Sequence, residues 1–321
     1  LKSDEGRDIL LKLAVEADVF IESFRPGVMK RLGIDYDVVS KINPKIIYCS
    51  LSAFGQDGPW KDRPAHDTAA VAASGVLSVS RSPSDKSGPA IVGVAMSDIL
   101  SSHLAFGGIM MALYRRQSTH LGDYIDISMF ESVLNASPNI VGPVFAGGQA
   151  PDRLQERTHG GNAMLNIYEL KDGTYLALAG GERKFVSELF SGLGRPDFID
   201  LVTGPTGDGH REAIAFLRDI FLSKTRAEWE EWFEGRDIGW MPVMDLAEAW
   251  DSKQVWERDM RIKDDQGNDH IGIPIKFLNE PGKVHFHLPE VGQHTVSILD
   301  ELGFDEGEVK KLSSSGIVGV K

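Results

Sequence analysis

The segment KIIYCSL, residues 45–51, decides the class of fold. It is a short apolar run rich in β-branched and aromatic residues, which is typical of a β-strand. A similar run, DVFI at residues 18–21, precedes it, and DYIDI at residues 123–127 follows it. Helical patterns lie between these runs. Helices that alternate with short apolar strands predict an α/β layer with a parallel sheet.

The helices between these strands are indicated by residues that favour helix ends and by apolar residues at helical spacing. Ser3 is a suitable N-cap for a first helix. Pro26 suits the first turn of a second helix, and Gly33 suits its end. The longest predicted helix covers residues 97–116, where basic residues favour the negative helix end.

A change of composition predicts a second, smaller domain. Residues 141–163 combine glycines and a proline with a polar run, and we interpret them as a linker. They separate a large domain, residues 1–140, from a small domain, residues 164–280, and residues 281–321 are predicted to return to the large domain. The strand and helices of the small domain are predicted at 174–179, 183–192, 211–222 and 226–234.

The composition is that of a globular protein with a strong negative charge. Of its 321 residues, 42% are hydrophobic and 25% are charged, and 47 acidic against 34 basic residues give a net charge of −13. This field repels nucleic acids, so DNA and RNA are not expected partners, whereas a local cationic pocket can still bind a small anion. No run approaches the about 18 apolar residues of a membrane span, so no membrane association is predicted.

The single cysteine, Cys49, excludes an internal disulfide and fits a reducing compartment, which predicts a cytoplasmic protein. Its place in an apolar run favours a buried structural thiol over a nucleophile. No bound metal is predicted. The acidic turn at residues 264–269 lacks the spacing of an EF-hand, and His285 and His287 are predicted to lie on an exposed strand without further ligands.

Asp98 stands out as a candidate for chemistry. It follows the apolar run IVGVAM, residues 91–96, which reads as a strand, and it begins a long helix. Open α/β sheets bind their ligands where a strand ends and a helix begins. An ordinary helix cap is the alternative, and it stays open at this point. The sequence has no G-x-S-x-G elbow, no P-loop and no G-x-G-x-x-G after a strand, which argues against a nucleotide-binding oxidoreductase.

Two further polar residues are candidates on weaker grounds. His66 precedes Asp67 in a turn region, where a lone histidine is usually structural. Glu182 follows two glycines at the end of a predicted strand, where a carboxylate is ordinarily a surface group.

Four segments, in chain order, resemble the signatures of class III CoA-transferases of the CaiB/BaiF type. ESFRPGVMKRLG, residues 22–33, is similar to the family's ENFRPG…RLG, and LSAFGQDGPW, residues 51–60, is similar to its S-G-F-G-x-x-G-P-[YW] turn. AMSD, residues 95–98, falls where the family has its catalytic aspartate, and GDYIDISM, residues 122–129, matches the strand and helix that follow. The match covers nearly the whole chain and implies that an N-terminal part of the family's domain is absent from this sequence.

The resemblance implies an enzyme that moves CoA between carboxylic acids. Asp98 would attack an acyl-CoA thioester, giving a mixed anhydride and then an aspartyl-CoA thioester. The expected substrates are an acyl-CoA and a small carboxylic acid, with no permanently bound cofactor.

The resemblance also implies a CoA-binding segment and an architecture. Ser23, Phe24, Arg25, Arg31 and Leu32 match positions that contact the CoA nucleotide, with Ser23 in place of the usual Asn. The guanidinium groups suit phosphate oxygens. The implied fold is a Rossmann-like large domain with a parallel sheet plus a smaller α+β domain, in an interlocked homodimer.

The same family holds α-methylacyl-CoA racemases, which gives an alternative function. His66 and Asp67 resemble the racemases' Gly-His-Asp, and Glu182 falls where racemases carry a functional glutamate. A racemase would use His66 and Asp98 as an acid–base pair on opposite faces of the α-carbon. Ala69-Ala70 replaces the Asn-Tyr that follows in racemases, which favours CoA transfer. A non-catalytic CoA-binding protein is the third alternative.

Overall fold

The chain forms two compact units. The computed structural model describes residues 1–80, 88–152, 155–157 and 159–321. The first unit comprises Leu1–Arg153 with Val291–Lys321, and the second comprises Leu154–Glu290. The domain limits inferred from the sequence stay predictions.

A parallel sheet forms the centre of the first unit. Its elements up to the second unit are α1 (Asp4–Glu16), β1 (Val19–Glu22), α2 (Val28–Leu32), α3 (Tyr36–Ile42), β2 (Ile47–Ser52), α4 (Asp67–Ala73), α5 (Val76–Val79), α6 (Met96–Thr119), β3 (Asp123–Ser128), α7 (Met129–Asn135) and α8 (Gly142–Gly147). The strand order is β1-β2-β3, and both pairings are parallel. The predicted α/β layer with a parallel sheet is confirmed.

Strand β2 lies in the middle of this sheet and is buried along most of its length. Ile47 and Cys49 face α6 and pack with Ala105. Tyr48 faces the opposite side, where it packs with residues of α1 and α3 and stacks on Phe20, with ring centroids 4.8 Å apart. Burial on both faces explains why this strand is a continuous apolar run in the sequence.

Cys49 is a buried thiol, as the sequence indicated. Burial raises the pKa of the thiol to about 11, and the Glu22 carboxylate adds to this rise. The thiol is therefore protonated at neutral pH and is a poor nucleophile.

Helix α6 departs from the expectation that no segment could span a membrane. It is long and apolar enough to cross one by length and composition, and 28% of its apolar stretch is buried inside the structure. One side packs on the sheet, while Phe106, Met111 and Tyr114 are 60%, 70% and 84% exposed. Core helices of soluble proteins meet the same criterion, so the composition does not by itself identify a membrane span.

The second unit is an α+β arrangement with its own core. Its elements are β4 (Leu165–Glu169), β5 (Tyr175–Ala179), α9 (Arg183–Gly192), α10 (Phe198–Val202), a 3-10 helix (Gly207–His210), α11 (Arg211–Phe221), α12 (Arg226–Phe233), β6 (Trp240–Pro242), α13 (Leu246–Asp251), α14 (Lys253–Glu257), β7 (Arg261–Lys263) and β8 (Asp269–Ile271). Strands β4, β5 and β6 form an antiparallel sheet, and β7 pairs with β8. In the core, the indole of Trp229 donates to the carbonyl oxygen of Phe221 at 3.0 Å. The chain then returns to the first unit with α15 (Thr295–Glu301) and α16 (Glu306–Ser314).

Two predicted strands are wrong. Residues 91–95, before Asp98, form no strand, and Ile91 and Val94 are 76% and 59% exposed. An apolar run becomes a strand only where a neighbouring strand satisfies its backbone groups, and none of the described residues does so here. Residues 285–287 also lie outside any strand, and Phe286 packs against the ring of His270 instead.

Candidate active site

A cavity of about 540 Å³ lies in the first unit at the carboxyl ends of the parallel strands. The segment after β1, the end of β2 and the first residue after β3 all contribute to its wall. The remaining wall comes from the starts of α4 and α6 and from the loop that precedes α4. Five of the predicted site residues line this cavity, namely Ser23, Phe24, Arg25, His66 and Asp98.

Asp98 lies in the first turn of α6 with its side chain exposed to the cavity. The N-cap of this helix is Ala95, which has no side chain able to cap, so Asp98 is not the cap residue that the alternative interpretation required. Within the described parts of the chain, no hydrogen bond or ion pair engages the Asp98 carboxylate. Asp98 thus presents to the cavity a carboxyl group without a partner among the described residues.

The backbone around Asp98 is held more firmly than its side chain. The carbonyl oxygen of Asp98 accepts hydrogen bonds from the hydroxyls of Ser101 at 3.1 Å and Ser102 at 2.7 Å. The preceding residue, Ser97, is fully buried. The free carboxylate therefore projects from a fixed main chain.

His66 occupies the N-cap position of α4 and is exposed. Its ring makes no hydrogen bond within the described residues, and it lines the same cavity as Asp98. His66 is therefore placed to contact a ligand in the cavity and is not a buried structural histidine.

Three cations give the cavity a local positive charge. Arg25, Lys61 and Arg63 line it, and Asp98 is the acidic residue among its lining side chains. The guanidinium of Arg63 lies over the ring of Trp60, 5.1 Å from its centroid. Sequence reasoning missed Lys61 and Arg63, although both stand between the GPW turn and His66. This local charge opposes the net negative charge of the chain, and it suits an anionic ligand.

A buried carboxylate holds the segment that carries Arg25. Glu22, at the end of β1, is 8% exposed and accepts the backbone N–H of Phe24 at 2.8 Å. It also accepts the hydroxyl of Ser50, which in turn accepts the side-chain amide of Gln56 at 2.7 Å. This network fixes the chain immediately before Arg25 to strand β2.

Arg25 also borders a second cavity of about 340 Å³ on the tyrosine-lined face of the sheet. Tyr36, Tyr48 and Tyr124 contribute to its wall together with Glu22. Burial raises the pKa of Tyr124, and a hydrogen bond with Ser50 opposes that rise. Arg25 therefore stands between two neighbouring spaces.

The other predicted CoA contacts lie elsewhere in the first unit. Arg31 is exposed on α2, and Leu32 is partly buried against the core of α1, α3 and Tyr48. Neither lines the 540 Å³ cavity. Their roles in nucleotide binding stay predictions.

Glu182 belongs to the second unit, where it is the exposed N-cap residue of α9 without a side-chain capping hydrogen bond. Its proposed functional role stays a prediction. Within the described residues, no group of three or more His, Cys, Asp or Glu side chains is placed to hold a metal ion.

Comparison with known proteins confirms the resemblance seen in the motifs. Residues 1–295 match the model of CoA-transferase family III. An acyl-CoA transferase of Fusarium pseudograminearum is 32% identical over 330 residues, which covers 99% of this chain and 71% of that protein. The alpha-methylacyl-CoA racemase of Homo sapiens is 31% identical over 321 residues, which covers 99% of this chain and 83% of that protein.

A solved structure has the same fold. The crystal structure of a CaiB/BaiF family protein from Brucella suis superposes with a TM-score of 0.76 and is 26% identical. The match covers 94% of this chain and 79% of that one.

The cationic lining of the cavity leads to a prediction about ligand affinity. Arg25→Ala and Lys61→Ala should each weaken CoA binding by about 1.5–3 kcal/mol, because each removes a charged hydrogen-bond donor for phosphate. Isothermal titration calorimetry with CoA measures this change. Lys41→Ala is the matched control, since Lys41 is an exposed cation on α3 that lines neither cavity. If all three variants bind CoA equally well, the nucleotide lies elsewhere.

Proposed function

Since this chain belongs to CoA-transferase family III, we propose that it transfers CoA from an acyl-CoA to a free carboxylic acid through covalent intermediates on Asp98. The observation that carries this proposal is the Asp98 carboxylate, which is exposed to a cavity lined by three cations. A carboxylate that no neighbour engages is available as a nucleophile, and the cations suit the phosphates of CoA.

The proposed reaction proceeds in two half-reactions. An oxygen of Asp98 attacks the thioester carbonyl carbon, the C–S bond breaks, and a mixed anhydride and the CoA thiolate form. The thiolate then attacks the Asp98 carbonyl carbon, which releases the donor acid and leaves an aspartyl-CoA thioester. The acceptor carboxylate repeats these steps in reverse order, so that the new acyl-CoA leaves and the Asp98 carboxylate is restored.

The cavity cations have a further role in this chemistry. The departing thiolate is an anion, and positive side chains that line the same cavity as Asp98 stabilise negative charge that develops there. No step requires an oxidant or an external proton donor, because the nucleophile and the leaving group are both anions.

The covalent step predicts that Asp98 is labelled during turnover. Hydroxylamine added during turnover with acyl-CoA should convert Asp98 to a hydroxamate, detected by peptide mass spectrometry. Asp98→Asn should lose this label and about a thousandfold or more of the rate, because an amide cannot form the anhydride. Asp4→Asn, in the exposed first turn of α1, is the matched control and should keep both.

Two results would contradict this assignment. Full activity in Asp98→Asn would exclude Asp98 as the nucleophile. CoA binding by the unaltered protein without any transfer, across a panel of acyl-CoAs and acids, would favour the non-catalytic alternative.

Racemisation of an α-methylacyl-CoA is the second candidate function. His66 and Asp98 line one cavity, which is the arrangement that an acid–base pair needs. The 31% identity to a human racemase also supports it. The two functions differ in whether the bond between the α-carbon and its hydrogen breaks.

Deuterium incorporation separates these two functions. In deuterated water with a 2-methylacyl-CoA, a transferase should leave the α-carbon unlabelled, because CoA transfer does not break the C–H bond. We expect no α-deuterium beyond the uncatalysed background, and we expect His66→Ala to retain CoA transfer. The control is His103→Ala, an exposed histidine of α6 that does not line the cavity. Rapid α-deuteration that His66→Ala abolishes would establish the racemase instead.

We further propose that the chain functions as a homodimer that covers the exposed face of α6. Phe106, Met111 and Tyr114 are more than half exposed on that face. Contiguous apolar patches of this kind are uncommon on monomers and mark interaction surfaces.

The dimer proposal predicts the mass of the protein in solution and the effect of lysine substitutions on the exposed face of α6. Sedimentation without detergent should give twice the chain mass of 35.2 kDa. Met111→Lys with Tyr114→Lys should shift the protein toward monomer, because each lysine would have to be desolvated in the interface. Val320→Lys alters an exposed apolar residue of the C-terminal segment and serves as the control. A stable monomer of the unaltered protein at all concentrations would contradict the proposal.

A further inference from the structure

We infer that Asp67 is a positioning residue that holds Asp98 in place for the reaction, an inference that rests on the proposed function of Asp98. Asp67 is the first residue of α4, and Asp98 lies in the first turn of α6. The two helices contact each other, and the contact at their starts is made by the Asp67 carboxylate.

One oxygen of Asp67 binds the beginning of α6. The backbone N–H of Ser97 donates to Asp67 Oδ1 at 2.7 Å, and the Ser97 hydroxyl donates to the same oxygen at 2.8 Å. The backbone N–H of Asp98 also points to this oxygen, at 3.4 Å. The Ser97 hydroxyl additionally lies 3.3 Å from the carbonyl oxygen of Asp67.

Helix α6 needs a cap from elsewhere because its own N-cap residue is Ala95. The first N–H groups of a helix have no partner within the helix, and a side-chain oxygen usually accepts them. Alanine has no such oxygen, so a carboxylate from another helix takes this role. Its negative charge also suits the positive helix end.

The same carboxylate links both cavity groups. His66, which lines the cavity, is the N-cap residue immediately before Asp67, and Asp98 immediately follows Ser97. Asp67 therefore ties the start of the helix that carries His66 to the start of the helix that carries Asp98. Ser97 is fully buried and Asp67 is partly buried, and neither residue lines the cavity.

In the first turn of α6, one set of groups holds the main chain of Asp98 and leaves its side chain unengaged. Asp67 and the serines that follow Asp98 hold the main chain on both sides of that residue. The Asp98 carboxylate keeps its lone pairs available for attack on the thioester. A misplacement of about 1 Å in a reacting group can lower a rate by about 10²-fold.

Three substitutions at this position separate placement from charge. Asp67→Ala removes the acceptor. Asp67→Asn keeps an amide oxygen at the same place and loses the charge. Asp67→Glu keeps the charge and moves the acceptor by one methylene. Asp305→Ala is the matched control, because Asp305 caps α16 by accepting the Glu308 N–H at 2.8 Å and does not line the cavity.

We expect Asp67→Ala and Asp67→Glu to lower kcat by about 10- to 100-fold, with KM for acyl-CoA changed by less than about twofold. Asp67→Asn should retain most of the kcat of the unaltered protein, because its amide oxygen can still accept the Ser97 N–H. Single-turnover hydroxamate formation on Asp98 should fall in parallel with kcat. Asp305→Ala should lower the melting temperature by a similar amount to Asp67→Ala without lowering kcat.

Either of two outcomes overturns the inference. Values of kcat for Asp67→Ala and Asp67→Glu that equal the control would reduce Asp67 to a stabilising cap. If Asp67→Glu is active and Asp67→Asn is inactive, the reaction requires the negative charge of residue 67 and not the position of its acceptor oxygen. Failure of the proposed function is distinguishable, because the unaltered protein would then show neither CoA transfer nor a label on Asp98.

Discussion

Burial of strand β2 on both faces is the constraint from which the rest of the first unit follows. A strand that is covered on both sides has to be paired on both edges, because its backbone groups have no access to water. Strands β1 and β3 supply those pairs, and both run parallel to it. Parallel pairing in turn places the carboxyl ends of all three strands at one edge of the sheet. Side chains from distant parts of the sequence therefore meet there.

The candidate site is built from the ends of elements. Ser23 to Arg25 follow β1, His66 precedes α4, and Asp98 begins α6. The ends of these elements carry backbone N–H groups without partners inside the element, and the carboxylates of Glu22, which is buried, and Asp67, which is partly buried, accept two of them. Glu22 accepts the Phe24 N–H and Asp67 accepts the Ser97 N–H. Both carboxylates accept backbone N–H groups, whereas the Asp98 carboxylate has no hydrogen-bond partner among the described residues.

The molecule as a whole is negatively charged, whereas most charged side chains that line the cavity are positive. The whole chain has a net charge of −13, whereas Arg25, Lys61 and Arg63 line the cavity together with Asp98. Interactions between exposed charges fall off over about 8–10 Å at physiological ionic strength. The cations that line the cavity therefore act on a ligand there more strongly than acidic residues that lie beyond this distance.

Local patterns in the sequence determined the parallel sheet, several helices of each unit, and the segments that carry Asp98, His66 and Arg25. These features depend on the spacing of apolar residues and on the residues that begin and end helices, and both are visible within a few neighbouring positions of the sequence. The strand expected at residues 91–96 was wrong, because strand formation depends on a partner that the local sequence does not encode. The roles of Lys61, Arg63 and Asp67 were missed for the same reason. Asp67 lies 30 residues before Ser97, and only the packing of α4 on α6 brings its carboxylate to that backbone. Tertiary structure decided which charged residues share a cavity, because proximity between distant segments arises from packing and not from local pattern.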